Sequence, residues 1–428
     1  MSLAARLDAA AFLSDLGVRA AAEWLRSGLV FMPTRTSMRA DPYPFYRRLR
    51  EGDPFHRSYP AGGWVLSRHD DILAVLGDRS FSSDERRWSR YPRIRGLHRR
   101  AGVPDVYEEG VVSMLRVDAP DHTRLRRLVS TAFTPRAVER MRPRVMGVVH
   151  ELIDAVGTRR EIELVRDVAA PLPVTIIAEM LGVPVRDRER FRAWSDEVVR
   201  TLGDGTLDDR RRGWSAIREL ASYLEDEVEG RRREPRDDLL SALVAAEESG
   251  DRLSTRELFG TTVLLLVAGN ETTTKLLCNG LLALLRHPEQ LALLRAEPKR
   301  IPGAVEELIR YDSPVQLTSR MVLEDRELCG HALRRGQQLV LLLGAGNRDP
   351  ARYRDPEVLD VLREDVRPLS FGFGAHVCLG AQLARLEAQV AFEALLARWP
   401  DLRLGDTPIA WGENTVLRGP RALPLRRG

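Results

Sequence analysis

Lysine is almost missing from this 428-residue chain. Lys and Arg together number 66, and Lys275 and Lys299 are the only lysines. The remaining cations are arginine, the imprint of a GC-rich genome, and 62 acidic residues leave a formal net charge of only +4. That balance speaks against a nucleic-acid binder, which concentrates its cations on one face. Cysteine is scarce as well. Three (Cys278, Cys329 and Cys378) make no disulfide framework in so long a chain, and no pair has the CxxC spacing of a zinc site. Apolar runs such as Val263 to Ala268 fall far short of the roughly 20 residues that span a bilayer, so no transmembrane anchor is expected. The N-terminus has no positive cluster followed by an apolar core, hence no expected signal peptide. No dinucleotide or flavin fingerprint follows any strand candidate. The expectation is a soluble, cytoplasmic protein.

What is present is ordinary globular composition, with 43% apolar and 30% charged residues. The length exceeds the usual single core of about 100–200 residues, yet there is no internal repeat, low-complexity segment or linker. The reading is one large, mainly helical domain with small sheets over 41–428, behind an N-terminal extension, 1–40. In that extension Phe12, Leu16, Ala20 and Trp24 recur every fourth residue, predicting an amphipathic helix that packs on the body by this face. Short helices are predicted over Phe45 to Arg50 and Asp70 to Leu76, with a strand at Gly63 to Ser67. Residues 85–112 lack periodicity and read as a long surface loop, of the kind that serves as a lid.

From Asp121 to the mid-290s helical spacing dominates, over 122–133, 137–154, 173–181, 187–201 and 212–228. Ser254-Thr-Arg-Glu257 is a capping box, with Leu253 and Leu258 as its hydrophobic staple. The helix it starts need not stop before His287-Pro288, about 33 residues or roughly 50 Å. Its middle, Leu264 to Ala268, is apolar all round and should be buried. Then follow helices over 289–296 and Pro302 to Tyr311, strands near 315–323 and 337–343, an irregular stretch over 347–377, and a last helix, Leu379 to Arg398.

Four groups of residues carry chemistry. Phe371-Gly-Phe-Gly-Ala-His-Val-Cys-Leu-Gly380 puts Cys378 at a helix N-terminus, where free N–H groups and the dipole stabilise a thiolate. Gly380 lets the first helical turn approach a large flat ligand. Ala268-Gly269-Asn270-Glu271-Thr272-Thr273 places a glycine, an acid and an alcohol inside the long helix, which permits a water-holding kink and a proton relay. Glu307 and Arg310 share a helix face at i, i+3. His122 and Arg126 share one at i, i+4.

The cysteine decamer resembles the haem-binding loop of the cytochrome P450 family, and the resemblance runs from about Asp41 to Pro424. It implies that fold: haem b (iron protoporphyrin IX) between the long central helix and the helix after the cysteine loop, in a triangular-prism-like domain. Cys378 would be the iron ligand, with Phe371, Gly372 and Gly380 against the cofactor. His122, Arg126, Arg320 and His376 would hold its propionates. Ala268, Gly269, Glu271 and Thr272 would form the oxygen site. Glu307 and Arg310, with Arg363 of Pro356-Glu-Val-Leu-Asp-Val-Leu-Arg363, would form a structural ion network. Two positions depart from the family pattern, Phe373 where a small or polar residue is usual and Leu359 where Phe is usual.

The implied function is a haem-thiolate monooxygenase that hydroxylates or epoxidises a mostly apolar small organic molecule with O2. Its two electrons would come from a ferredoxin fed by an NAD(P)H-dependent reductase and docking near Cys378, with Arg124 and Arg127 turned toward that donor. A monomer is expected. The resemblance places the substrate among 85–115, 185–205, Val315, Leu317, Thr318 and the turn Asn414 to Leu417 with Val416. Alternatives are a peroxide-driven or nitric-oxide-reducing haem-thiolate enzyme, which would not need the Glu271-Thr272 pair, and a non-catalytic haem-binding sensor.

Overall fold

The computed structural model describes residues 3–100, 102–105, 107–108, 113–199, 206–248 and 254–428. Helices predominate. The central one, Thr255–Arg286, begins at the expected capping box: Ser254 Oγ accepts from Glu257 N at 3.2 Å and Ser254 N donates to Glu257 Oε2 at 2.8 Å. Leu253, the other half of the expected staple, lies outside the described residues.

The largest core joins this helix, through Leu266, Leu277, Leu281 and Leu284, to Ile176 of Pro171–Met180, Val149 of Arg142–Val156 and Phe392 of Ala381–Arg398. Gly280 is a packing requirement there: a Cβ would lie 2.6 Å from the Phe392 ring. The middle of the central helix is not wrapped on all sides as its composition predicts. Leu265, Leu266 and Val267 are buried, but Leu264 is half-buried and Ala268 exposed. An apolar sequence shows only that a segment tolerates a dry surrounding, and here one flank is left uncovered.

A five-stranded sheet orders its strands Phe55–Ser58, Gly63–Leu66, Gln338–Leu341, Thr318–Val322 and Phe81–Ser82. Gly63–Leu66 pairs parallel with Gln338–Leu341, which pairs antiparallel with Thr318–Val322, Arg320 opposite Leu339. The strands and short helices expected at 63–67, 70–76, 315–323 and 337–343 are thus present, with Asp70 to Leu76 inside the helix His69–Gly77. Within the expected loop 85–112 the structure instead forms a helix, Tyr91–Arg100. Its arginines are good helix formers and Pro92 suits a first turn, but with so few apolar residues no hydrophobic period announces it.

The N-terminal helix, Leu3–Ser27, keeps only part of the expected face toward the body: Leu16 and Ala20 are half-buried, and the Phe12 side chain lies outside those described. Trp24 is 59% exposed and Val18 and Leu25 also face out, whereas Glu23 is fully buried. Its carboxylate accepts from Phe31 N and Tyr59 N at 2.7 Å, Ser58 Oγ at 3.0 Å and His56 Nε2 at 2.8 Å. Four donors are what a buried carboxylate needs, and they decide the orientation. Leu29 and Phe31 then enter a core with Tyr43, Tyr46 and Leu49 of the helix Tyr43–Gly52.

Candidate active site

The cysteine loop folds back on itself. Cys378 N donates to Phe371 O at 2.7 Å, and Gly372 and Gly374 take φ of 68° and 72°. Such positive φ favours glycine, and at Gly374 a Cβ would also lie 2.5 Å from Leu76 O. The loop is therefore clamped to the end of the helix His69–Gly77. Phe373 is 48% exposed and reaches Gly77, so the bulk that departs from the family pattern sits on the surface. Phe371 carries the Arg385 guanidinium 4.4 Å from its ring centroid, and Arg385 is in turn paired with Glu306.

The Cys378 sulfur is open at its surface yet deeply surrounded, which pushes its thiol pKa up. The Gly380 N–H bonded to the sulfur, with Arg126 and Arg385, acts in the opposite sense. That N–H and these cations are what a thiolate ligand requires once the proton has left. A Cβ at Gly380 would meet nothing within 4 Å, so the first helical turn presents open space.

Beside the sulfur the fold gathers two arginines and two histidines from three elements: His122 and Arg126 of the helix Asp121–Ser130, Arg320 of its strand, and His376 of the loop. The His122 and His376 rings are 4.0 Å apart. Desolvation lowers all four, His376 to about 3 with His122, Arg320 and Arg126 adding repulsion, and Arg320 to about 10. His122 Nε2 is buried without a hydrogen-bond partner among the described residues. The nearby Asp118 is engaged by Ser83 N at 2.9 Å and by Ser82 Oγ. Two desolvated guanidinium groups beside two imidazoles that burial keeps neutral, one of them with an orphan nitrogen, are a site for anions. Two carboxylates of a flat ligand fit it, so the residues present suit haem b.

The open flank of the central helix carries Leu264, Ala268 and Thr272 at i, i+4 spacing, with Gly269 and Glu271 beside them. Thr272 Oγ1 donates to Ala268 O at 2.6 Å, and Thr274 Oγ1 donates to Asn270 O at 3.0 Å and Ala169 O at 3.1 Å. Hydroxyls bonded back to the i−4 carbonyl loosen the ladder at this point. Asn270 also donates to Ser195 Oγ at 2.9 Å, tying the helix to Arg188–Val199. Glu271 is not free: Lys275 Nζ lies 3.0 Å from its Oε1.

Glu307 and Arg310 sit in the helix Ile301–Tyr311, both buried. Arg363, 56 residues further on, brings its Nε to 3.2 Å from Glu307 Oε2, and Asp360 N donates to Oε1 at 3.0 Å. The three residues thus meet. Leu359, the second departure from the family pattern, is buried in the main core.

On the opposite side Val315 bridges to Leu417, and Gln316 N donates to Val416 O at 2.8 Å. Val315, Leu317, Thr318 and Val416 are half-buried, although Val315 and Leu317 also pack into cores. Arg124 does not turn to an external partner but pairs with Glu257 at the start of the central helix.

Sequence reasoning missed Glu387. It is fully desolvated in the last helix, hydrogen-bonded by the Thr273 side chain, and burial pushes it up to about 8. Its position between Leu383, Leu386 and Val390 on the buried face was the available signal.

A thiol loop beside an anion-binding cluster, in a fold whose long central helix bears an acid and an alcohol on an open flank, defines a haem-thiolate oxidoreductase. The profile of the family described as Cytochrome P450 matches residues 99–400. The chain is 39% identical over 408 residues to the polyketide biosynthesis cytochrome P450 PksS of Bacillus subtilis, covering 93% of this chain and 98% of that one. It is 42% identical over 398 residues to the cytochrome P450 monooxygenase PikC of Streptomyces venezuelae, covering 90% and 91%. The crystal structure of CalO2 superposes with a TM-score of 0.86 at 39% identity, covering 93% and 99%. The chain belongs to the cytochrome P450 family, has its fold, and is a monooxygenase with haem b as cofactor. No helix of the described residues is long and apolar enough to cross a membrane.

Proposed function

We propose that this monooxygenase hydroxylates or epoxidises a mostly apolar small organic molecule, with two electrons supplied by a ferredoxin and its NAD(P)H-dependent reductase. Haem b, when bound, supplies the activation of O2 and the insertion of one oxygen atom. Cys378 would be its iron ligand, Phe371, Gly372 and Gly380 would lie against it, and His122, Arg126, Arg320 and His376 would hold its propionates. The observation that carries the reading is the open flank of the central helix, with Thr272 and Glu271 on it.

Thr272 gives its hydroxyl proton to Ala268 O, so its oxygen lone pairs remain to accept a proton-bearing partner. Glu271, half-buried beside it, is the group that exchanges protons with water. Gly269 leaves room over this turn: a Cβ there would meet only Ile177, at 3.9 Å. Glu307, Arg310 and Arg363 act on folding and cofactor retention rather than on chemistry.

Val315, Leu317, Thr318 and Val416 line the substrate side and supply little but apolar surface. A compound of polyketide type is the first to test, since PksS is named for polyketide biosynthesis. The donor docks by the cysteine loop, where Phe373 and Val377 are exposed.

The test is a spectral-shift screen of polyketides, terpenes, steroids and fatty acids on the purified protein. Turnover of the hits with ferredoxin, reductase and NADPH follows, with product read by mass spectrometry. Product that depends on NADPH and retains one atom from labelled O2 supports the reading. Equal rates with hydrogen peroxide alone would replace it by a peroxide-driven enzyme, and no product with any hit by a sensor.

A further inference from the structure

We propose that Lys275 is a positioning residue for Glu271, holding the acid in an ion pair directed away from the bond made by the alcohol it serves. The inference rests on the proton-relay reading of Glu271 and Thr272. Lys275 is one of only two lysines in an arginine-rich chain, and it is buried. Its Nζ lies 3.0 Å from Glu271 Oε1 and donates to Pro420 O at 3.0 Å.

The two members of the acid–alcohol pair therefore point opposite ways along the helix. Thr272 Oγ1 turns back toward Ala268, while Glu271 is drawn forward toward Lys275. A proton can pass between them only when Glu271 leaves the ammonium. Lys275 itself is fixed. Its stem fills the slot over Gly419, where a Cβ would lie 2.4 Å from its Cδ and 3.0 Å from its Cβ and Cγ. These are the inner atoms of the side chain, so no flexible tip relieves the clash. With Lys275 anchored on the Pro420–Ala422 strand, the mobile partner is Glu271, and it always returns to the same place. A buried ammonium also needs a carboxylate opposite it, which keeps that return favourable.

The experiment needs no substrate. Haem-loaded full-length protein is supplied with ferredoxin, reductase and NADPH, and O2 then leaves either as hydrogen peroxide (one NADPH) or as two waters (two NADPH). The fraction leaving as peroxide reports how well protons are directed. It is measured for wild type, Glu271→Gln, Lys275→Met, Gly419→Ala and the Lys275→Met/Glu271→Gln double variant. A second readout, thermal unfolding of the same haem-loaded proteins, tests the pair without turnover. The expected result is a roughly threefold rise in the peroxide-to-water ratio in Lys275→Met and Gly419→Ala, no further rise when Lys275→Met is added to Glu271→Gln, and non-additive melting shifts for the 271–275 pair.

If Glu271→Gln raises the ratio but Lys275→Met and Gly419→Ala stay at the wild-type value, Lys275 is merely structural and the inference falls alone. If Glu271→Gln itself leaves the ratio unchanged, the relay reading falls and this inference with it. Additive melting shifts would show that the ion pair does not operate in solution, which also overturns it.

Discussion

Glu307 and Arg310 are fully buried and bound to each other at two points, Nε to Oε2 at 2.6 Å and Nη2 to Oε1 at 2.8 Å. A bidentate pair of this kind is stable in a dry site only if the remaining donors are used. They are: Arg310 Nη1 reaches Asn347 O at 3.0 Å and Pro356 O at 2.8 Å, and Nη2 reaches Val358 O at 3.1 Å. The pair thus staples the irregular stretch before the cysteine loop to a helix, with Arg310 gripping carbonyls 37, 46 and 48 residues further on.

Glu307→Ala leaves Arg310 buried without its carboxylate and releases Arg363 and Asp360 N. Losing one partner of a buried pair costs about 3–5 kcal/mol, so little haem-loaded protein should accumulate. Absorbance of the haem band per unit of protein measures it, and a wild-type ratio with an unchanged melting temperature would contradict the role given to the network.

Cys378→Ser removes the sulfur but keeps the loop, because the Cys378 N to Phe371 O bond is made by backbone. The expected outcome is loss of the strongly red-shifted Soret band of the reduced carbon monoxide complex in a folded protein. A normal band in the variant would show that another residue ligates the iron.

Thr272→Ala removes the hydroxyl while restoring an unperturbed ladder at Ala268. Haem should bind normally, and the ratio of peroxide to product should rise at least about tenfold, a fraction of the roughly 10²–10⁴-fold that a positioned proton-transfer group contributes. Unchanged coupling would take Thr272 out of the relay.

Glu387 gives a pH signature. Burial pushes its pKa up to about 8 in the folded protein from an ordinary 4.5, so the folded protein keeps a proton that the unfolded chain gives up. Stability from this group is fully present below about pH 4.5 and is lost as pH rises toward 8, by at most about 1.4 kcal/mol per pH unit. Glu387→Gln should therefore gain on wild type in melting temperature between pH 5.5 and pH 8. A difference between the two proteins that is the same at both pH values would refute the raised pKa.

Glu23→Ala tests what holds the N-terminal helix. It leaves His56 Nε2, Ser58 Oγ and two backbone N–H groups without their acceptor. Tryptic cleavage at Arg19 and Arg26 should accelerate at least about tenfold, equivalent to 1.4 kcal/mol of local stability, while the haem spectrum stays unchanged. Equal cleavage rates would mean that the apolar contacts of Leu29 and Phe31 suffice.

Much of the site was legible in linear order because its chemistry is local. A capping box fixes where the central helix begins, and glycines of positive φ fix the cysteine loop. The spacing i, i+3 places Glu307 beside Arg310 whatever surrounds them. The helix Tyr91–Arg100 escaped notice for the converse reason: it satisfies helix propensity without any apolar period to reveal it.

The sequence by itself determined the order of elements, the thiol at a helix N-terminus, and the acid and alcohol inside the long helix. Only the tertiary structure decided which of these groups are desolvated and what they meet. It turned Trp24 outward and Glu23 inward, opened the flank at Ala268, pushed Glu387 up toward neutrality, and closed Lys275 over Glu271 beneath Gly419. Periodicity shows which side chains share a face. What that face touches comes from segments tens to hundreds of residues away, and so does the dielectric that sets each group's charge.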